Sequence, residues 1–339
     1  KIGPKTLFAR SFLQTDPRPS PELRMHARSF LRRSLAPACV LALAPFQAWA
    51  QCSPHWIPGI GDPGAVLPGT ISDMVLWDPD GPGPPPPRLA VAGQFTSVGG
   101  VPAINVAWMD LETGQWFPFG PGLGAGVTGT NVGRLAVRPN GELIAGGYFT
   151  NAGALSVGYI AAWNGSAWTR LGTGPTNGTD GTVSALVTLP NGDVLVGGAF
   201  LSAGGIPAIR VARWNGSAWS TTNLGSLGGP PDRFTLAPNG DVLAVGEFRF
   251  VFNGASTVTA NGIARWNGFG WSALGTGFSG TPVCVAPAPN GDIYAGGPVI
   301  AAGGNPALGI ARWNGSAWSP LGAGLTPNSP NDYASANAL

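Results

Sequence analysis

Histidine, lysine and cysteine are nearly absent from this 339-residue chain, which holds two His and three Cys and has lysine only at Lys1 and Lys5. Downstream of residue 50 a single histidine, His55, stands beside three glutamates, Glu112, Glu142 and Glu247. General acid–base chemistry draws most often on His or on paired carboxylates, so the composition argues against catalysis. It nominates no catalytic residue, no cofactor-binding residue and no metal ligand, and a Ser–His–Asp triad would have to rest on His55 alone. A surface without lysine also argues against nucleic acid and anionic membranes as partners. Long hydrophobic runs are missing as well. The longest, residues 35–46, is shorter than the roughly 20 residues a membrane span needs.

Glycine and tryptophan are plentiful, at 54 and 13 residues. They fall in a repeat. Ile310-Ala-Arg-Trp-Asn-Gly-Ser-Ala-Trp-Ser319 has close copies at residues 211–220 and 263–272, a looser one at 160–169 and a divergent one at 106–116. The first Trp of each copy (Trp108, Trp163, Trp214, Trp266, Trp313) recurs at intervals of 55, 51, 52 and 47 residues. A period near 50 residues with strands inside it points to a propeller or a solenoid. Val183-Ser-Ala-Leu-Val-Thr-Leu189 alternates as a strand does. Pro190-Asn-Gly192 predicts a tight hairpin with positive φ at Asn-Gly. Residues 193–200 form a second strand ending in paired glycines, and residues 201–209 a looser connection. A third strand ends at Trp214, and Asn215-Gly216 turns it into a fourth at Trp219. Two Asn-Gly hairpins per repeat give four antiparallel strands, the blade of a β-propeller. A parallel β-helix uses shorter coils without paired hairpins.

The expected fold is therefore all-β, a propeller of four-stranded antiparallel blades. Five full blades lie at about 71–119, 134–172, 183–225, 234–275 and 283–322, with partial strands at both ends. Residues 52–61 match a fourth strand without the first three, and 333–339 match a first strand, so six or seven blades are expected in the intact protein. Blade four departs, with one Gly in Val245-Gly-Glu-Phe248 and a longer loop at 249–262.

Gly197-Gly198, Trp214-Asn215-Gly216 and Trp219 resemble the kelch pattern. Ala-Gly-Gly together with Ile-Ala-Arg-Trp-Asn-Gly is also similar to secreted bacterial repeat proteins with kelch-like or galactose-oxidase-like propellers, and to the propeller ectodomain of fungal cortical-marker proteins. The resemblance spans residues 56–339 and implies the propeller scaffold. It does not extend to a galactose-oxidase copper centre, whose cluster of His and Tyr ligands has no counterpart in one His and the scattered Tyr148, Tyr159, Tyr294 and Tyr333.

Three segments are expected: residues 1–24 as over-extended translation, 25–50 as a secretory signal peptide, and 51–339 as the propeller, C-terminally truncated. Met25 is followed by basic residues, the apolar run and Ala48-Trp-Ala50, which satisfies the small-x-small cleavage rule. Gln51, not a small residue, precedes Cys52, which argues against a lipoprotein. Past residue 50 there are ten Arg against fourteen Asp plus Glu, a formal net charge of −4. Export implies an oxidising compartment, in which Cys52 and Cys284 either form one bridge or remain two thiols.

Other polar groups read as structural. Glu142, Asp193, Asp241 and Asp292 each follow a Pro-Asn-Gly turn, one per blade, and close hairpins. Asp78 and Asp80 open a calcium-like Asp-x-Asp-Gly but lack the downstream Glu, in what reads as a Pro-rich surface insertion, residues 78–87. Asp110-Leu-Glu-Thr-Gly114 reads as a hairpin turn. Arg213, Arg265 and Arg312 precede the blade Trp, where an arginine can stack on indole. The sequons at Asn164, Asn215, Asn314 and Asn177 read as turn residues.

Both Asn-Gly hairpins of a blade lie on one face. The opposite face carries longer, differing connections at 96–104, 150–158, 201–209, 249–262 and 299–309, together with the links between blades. Variable loops on a rigid scaffold are where binding usually sits. The expected role is a secreted or cell-surface (or periplasmic) non-catalytic binding or scaffold module for a protein or carbohydrate ligand, with no nucleic-acid partner and no membrane insertion. The alternatives are a carbohydrate-active enzyme using acids such as Asp73, Asp180 or Asp232 near the channel, or a purely structural part of an envelope or adhesive protein.

Overall fold

The computed structural model describes residues 69–81, 86–124, 130–173, 177–221, 224–325, 335–336 and 339. The expected segments 1–24 and 25–50, His55, Cys52 and the N-terminal strand at 52–61 lie outside them. The described residues belong to the unit that includes residues 60–339. Among them there is no helix, and so none long and apolar enough to cross a membrane.

The described residues form an all-β propeller. Five four-stranded antiparallel sheets follow one another, each ordered first–second–third–fourth strand along the chain. Blade one runs from Thr70–Trp77 to Trp116–Pro118 and blade two from Asn131–Val137 to Trp168–Thr169. Blade three runs from Val183–Thr188 to Trp219–Ser220, blade four from Pro231–Leu236 to Trp271–Ala273, and blade five from Cys284–Pro287 to Trp318–Pro320. Blades two and four begin three residues earlier than the alternation alone suggests. The first strands of successive blades pack against one another, so they line the centre.

Both faces of the inner blades are covered by neighbours, which is why second strands such as Val194–Gly198 and Val242–Gly246 are buried at every position and read as continuous apolar runs. Four apolar clusters fill the seams between consecutive blades. Paired glycines let the sheets approach. A Cβ at Gly146 would meet Val183, one at Gly197 would meet Phe234 and Pro231, and one at Gly296 would meet Ala336. Residues 335–336 thus lie against blade five as each later first strand lies against the blade before it, although they form no strand.

Each blade Trp faces the Trp of the fourth strand, as in Trp214 opposite Trp219 with ring centroids 5.3 Å apart. The fourth-strand indole then ties back to the previous blade. Trp168, Trp219 and Trp318 donate to the carbonyls of Phe119, Leu171 and Leu274 at 3.0, 2.8 and 2.7 Å. Blade one differs: Phe117 stands opposite Trp108 and stacks on it at 4.2 Å.

The Pro-Asn-Gly turn is not the two-residue hairpin expected. Gly192 N–H donates to Leu189 O, Leu189 N–H donates to Asp193 O, and only the glycine has positive φ. This is a type I turn closed by a left-handed glycine. Proline fixes φ near −65° at the second turn position, which a turn with positive φ there could not accept.

Candidate functional site

The connections at 201–209 and its equivalents are not loose. Each folds into its own short hairpin, such as Ser202–Ala203 with Ile206–Pro207, and the link from the preceding blade pairs with it in four cases, including Thr179 with Ala203 and Ser226–Leu227 with Phe250–Asn253. The face expected to be variable therefore has a regular second tier of backbone. In blades one, three and five its tight turns place glycine at two successive positive φ values, as in 58° and 81° at Gly204 and Gly205.

Apart from the longer hairpin of blade four, Phe250–Asn253 with Ser256–Thr259, variation gathers at the mouth of the central channel on this face, where two sets of β-bulges meet. In the first four blades the first strand shifts register near its start, at Ile71/Asp73, Val132/Arg134, Val183/Ala185 and Pro231/Arg233. The extra residues are Ser72, Gly133, Ser184 and Asp232. A second irregularity ends every second strand. Gly147 N–H donates to Tyr159 O and Tyr159 N–H donates to Phe149 O, which leaves Tyr148 between them aimed outward. The same exchange isolates Gln94, Ala199, Glu247 and Pro298, all exposed. Bulges re-aim side chains in this way at sheet ends and sites. The residue before each third strand must then be left-handed: Asn105 (φ 64°), Tyr159 (59°), Arg210 (65°), Gly262 (84°) and Gly309 (76°).

Polar contacts join the blades across this mouth. Ser72 Oγ donates to Asn131 Oδ1 at 3.3 Å, and Leu135 N–H donates to Asp73 Oδ2 at 2.9 Å. Ser184 Oγ donates to Pro231 O. Arg134 of blade two reaches past blade three to donate to Asp232 O of blade four at 2.7 Å. Burial pushes the Asp232 carboxyl above its ordinary range, the Glu247 carboxylate adds to the rise, and Arg134 opposes it.

The three acids read from sequence therefore separate. Asp232 is at the mouth beside Arg134 and Glu247. Asp73 is buried and occupied by the Leu135 amide. Asp180 accepts the Leu201 and Ser202 amides, both at 2.9 Å, and pins the link to the hairpin. Burial raises the Asp180 carboxyl, but those amides outweigh it and leave the group below its ordinary range.

On the opposite face the recurrent acids close their hairpins as read, but the recurrent arginines do not stack on indole. Arg213, Arg265 and Arg312 approach Asp193, Asp241 and Asp292 of the same blade at 3.5, 3.6 and 2.8 Å. The acid and the arginine come from adjoining second and third strands, so a carboxylate is nearer than the buried ring. Blade two has Ala162 at the arginine position, and Glu142 pairs instead with Arg138, which opens the turn after the first strand, at 2.7 Å. Arginine–indole stacking occurs only in blade one among the described residues, with Arg88 over Trp77 and Trp108. Asn164, Asn215 and Asn314 accept backbone amides two and three residues on, as turn residues do, and Asn177 accepts Gly158 N–H. Asp110 likewise caps its own turn. Residues 82–85 beside Asp78 and Asp80 lie outside the described set.

Cys284 is a free, buried thiol whose Sγ lies 3.0 Å from Ala336 O. Burial pushes it up to about 11, against the pull of Arg233 and the Gly296 amide. Two hollows, of about 150 and 270 Å³, lie away from the mouth, one between the turns of blades four and five and one beside Trp214 and Trp219.

The tyrosines, Gln94 and Glu247 of the mouth were not singled out by sequence. For Gln94, Tyr148 and Glu247 the signal is present nonetheless: they are the unmatched residues in Gly93-Gln-Phe95, Gly147-Tyr-Phe149 and Gly246-Glu-Phe248, beside Gly198-Ala-Phe200.

Residues 189–216 match the model of a β-propeller domain of unknown function, DUF5122. That segment is one turn, the second strand, the small hairpin and the third strand of blade three. No curated protein matches the chain. Among solved structures it is similar to virginiamycin B lyase from Staphylococcus aureus bound to quinupristin, at 14% identity and TM-score 0.46 over 79% of this chain and 75% of that one. It is similar to YCF48 bound to D1 peptide, at 15% identity and TM-score 0.45 over 74% and 68%. PorZ, a surface component of the type-IX secretion system of Porphyromonas gingivalis, matches at 17% identity and TM-score 0.40 over 67% of this chain and 31% of its own. These likenesses are distant and bear on the fold alone.

Proposed function

We propose that the chain is an exported, non-catalytic β-propeller, related to the kelch-like group, that binds a protein or carbohydrate ligand at the channel mouth of its hairpin face. One observation carries this reading. The backbone of the mouth repeats in every blade, while the outward side chain at the end of the second strand differs in every blade: Gln94, Tyr148, Ala199, Glu247 and Pro298. Function on a repeat scaffold is carried by what the scaffold displays. Export rests on residues 25–50, and the absence of lysine beyond Lys5 disfavours nucleic acid and anionic membranes as the partner.

The test is binding of the full chain to a glycan array and to surface-protein fractions, repeated after exchanging residues 249–262 for the shorter hairpin of blade three. Binding that weakens on the exchange is expected. Binding that ignores every change at the mouth would remove the hairpin face from the reading, and recovery of the protein only from the cytoplasm would remove export.

The pairing of Asp232 with Glu247 favours a second reading, a carbohydrate-active enzyme. A carboxyl raised by burial and a like charge, beside an ionised partner, is how acid and base roles are divided in glycoside hydrolysis. Turnover of a glycan that disappears in both Asp232→Asn and Glu247→Gln would establish it in place of the first reading.

A further inference from the structure

The left-handed position before the third strand is cheapest for glycine, and blades four and five use Gly262 and Gly309 there. A side chain in that conformation costs about 1–2 kcal/mol, so its presence calls for a reason. In blade one the reason is visible. Asn105 is buried and holds Phe95 N–H, Leu123 O and Thr130 Oγ1. In blade three Arg210 donates to Leu227 O at 3.0 Å and fastens the next link. Tyr159 in blade two has no such bond among the described residues. Its ring rests partly on the apolar seam between blades two and three and faces Tyr148, with centroids 6.1 Å apart and planes 36° from parallel.

The pair is rigid and open. Gly158, just before Tyr159, accepts Thr179 N–H and donates to Asn177 Oδ1, and a Cβ on it would strike the carbonyls of Asn177 and Thr179 at 2.4 and 2.6 Å. Strain of this kind persists where the surroundings over-determine it, and it gathers at ligand sites. Tyr148 is the bulged residue and is 53% exposed. Beside it Asn131 begins the channel-lining strand, which also carries Arg134, the residue that reaches Asp232. An exposed aromatic face held beside Asn131, on the strand whose Arg134 reaches across the channel to blade four, suits a ligand with one apolar face and a rim of hydroxyls.

Resting on the binding role proposed above, we propose that Tyr148 and Tyr159 form a saccharide-stacking platform at the channel mouth, so that the ligand is a neutral oligosaccharide. The aromatic rings would take the C–H face of a sugar ring, and the polar groups of the channel rim would take its hydroxyls.

The test is calorimetric titration of the full chain with a panel of neutral oligosaccharides (β-glucan, xylan, mannan and α-glucan fragments), with thermal unfolding of each variant. Tyr148→Ala should weaken binding at least tenfold and Tyr148→Phe less than threefold. Tyr159→Gly should also weaken it at least tenfold while leaving Tm nearly unchanged, because relief of the φ of 59° offsets the ring's contact with the seam. A tyrosine kept only for packing would instead lower Tm and leave binding alone. Oligosaccharide binding untouched by all three variants would overturn the platform and leave the binding role standing. The same holds if no saccharide binds but a protein, or a proline-rich peptide seated on the tyrosines, does.

Discussion

The two faces of the propeller repeat different things. On the turn face blades two to five repeat side chains as well as backbone. Gly141, Gly192, Gly240 and Gly291 have φ between 82° and 88°, and the Asn before each accepts the amide of the acid after it at 3.1 or 3.2 Å. At the channel mouth of the hairpin face only the backbone repeats. The bulges, the left-handed residue and the hairpin recur, yet the outward side chains are amide, phenol, methyl, carboxylate or proline ring. Where chemistry and geometry recur together, the geometry explains the residue. Where geometry recurs and chemistry does not, the residue is free to serve a ligand.

The largest way to break this contrast is at the hairpin turns. Gly99 and Gly100 have φ of 55° and 77°, but a Cβ on Gly99 would lie 2.2 Å from Trp116 Cδ1, while one on Gly100 meets nothing within 4 Å. Gly100→Ala should cost about 1 kcal/mol, the left-handed penalty alone. Gly99→Ala adds overpacking of about 1–3 kcal/mol, for a total of about 3 kcal/mol in urea unfolding. Equal costs would mean that the indole moves aside and that the glycine is kept for φ only.

The seams between blades give a smaller contrast. Trp168 ties its indole to the buried Phe119, whereas the buried indole nitrogen of Trp271 has no partner among the described residues. Trp168→Phe removes one of the two hydrogen bonds to the Phe119 carbonyl, which keeps Gly122 N–H, at about 0.5–1.5 kcal/mol. Trp271→Phe loses no bond. The first should therefore exceed the second by about 0.5–1.5 kcal/mol in the same assay, and a reversed order would show that ring volume, not the bond, joins the blades.

How much of this was legible follows from what repeats. Periodicity and the Asn-Gly pairs expose the blades because turn and strand signals are local. The type I geometry of Pro190-Asn-Gly192 departs from the expected turn because Asn-Gly suggests one turn while the proline before it demands another. Arg213 was assigned to Trp214, its neighbour in sequence. Its partner Asp193 is on the adjoining strand, and only the register, with Leu195 opposite Arg213, brings them together. The mouth was hidden for a deeper reason. A search for repeats rewards sameness, and Tyr148, Glu247 and Arg210 differ from their counterparts. Asp232 was named, but its distinction from Asp73 and Asp180 depends on a bulge and on Arg134, 98 residues away in sequence.

Opposite pH dependences offer the finest test of the same contrast. At the mouth burial and Glu247 raise Asp232, so the folded state holds its proton more tightly than the unfolded one. Stability from this group falls as pH rises from the unfolded value, about 3.9, through the folded one. Asp232→Asn should remove that fall and raise Tm slightly at pH 7 but not at pH 3. On the turn face the Arg312 guanidinium, 2.8 Å away, together with the Asn290 amide, holds Asp292 below its ordinary range despite some burial. Stability from Asp292 is present above the unfolded value and is lost as pH falls through the folded one. Asp292→Asn should flatten the acid limb below about pH 4 and change nothing in the limb removed by Asp232→Asn. The effect is the smallest of these, because the pair is at the solvent edge, where ion pairs contribute little. Tm measured from pH 2.5 to 7 for both variants and the double variant would resolve it. Additive curves are expected from groups on opposite faces, whereas coupled curves would place Asp292 within reach of the channel and end the division of labour between the faces.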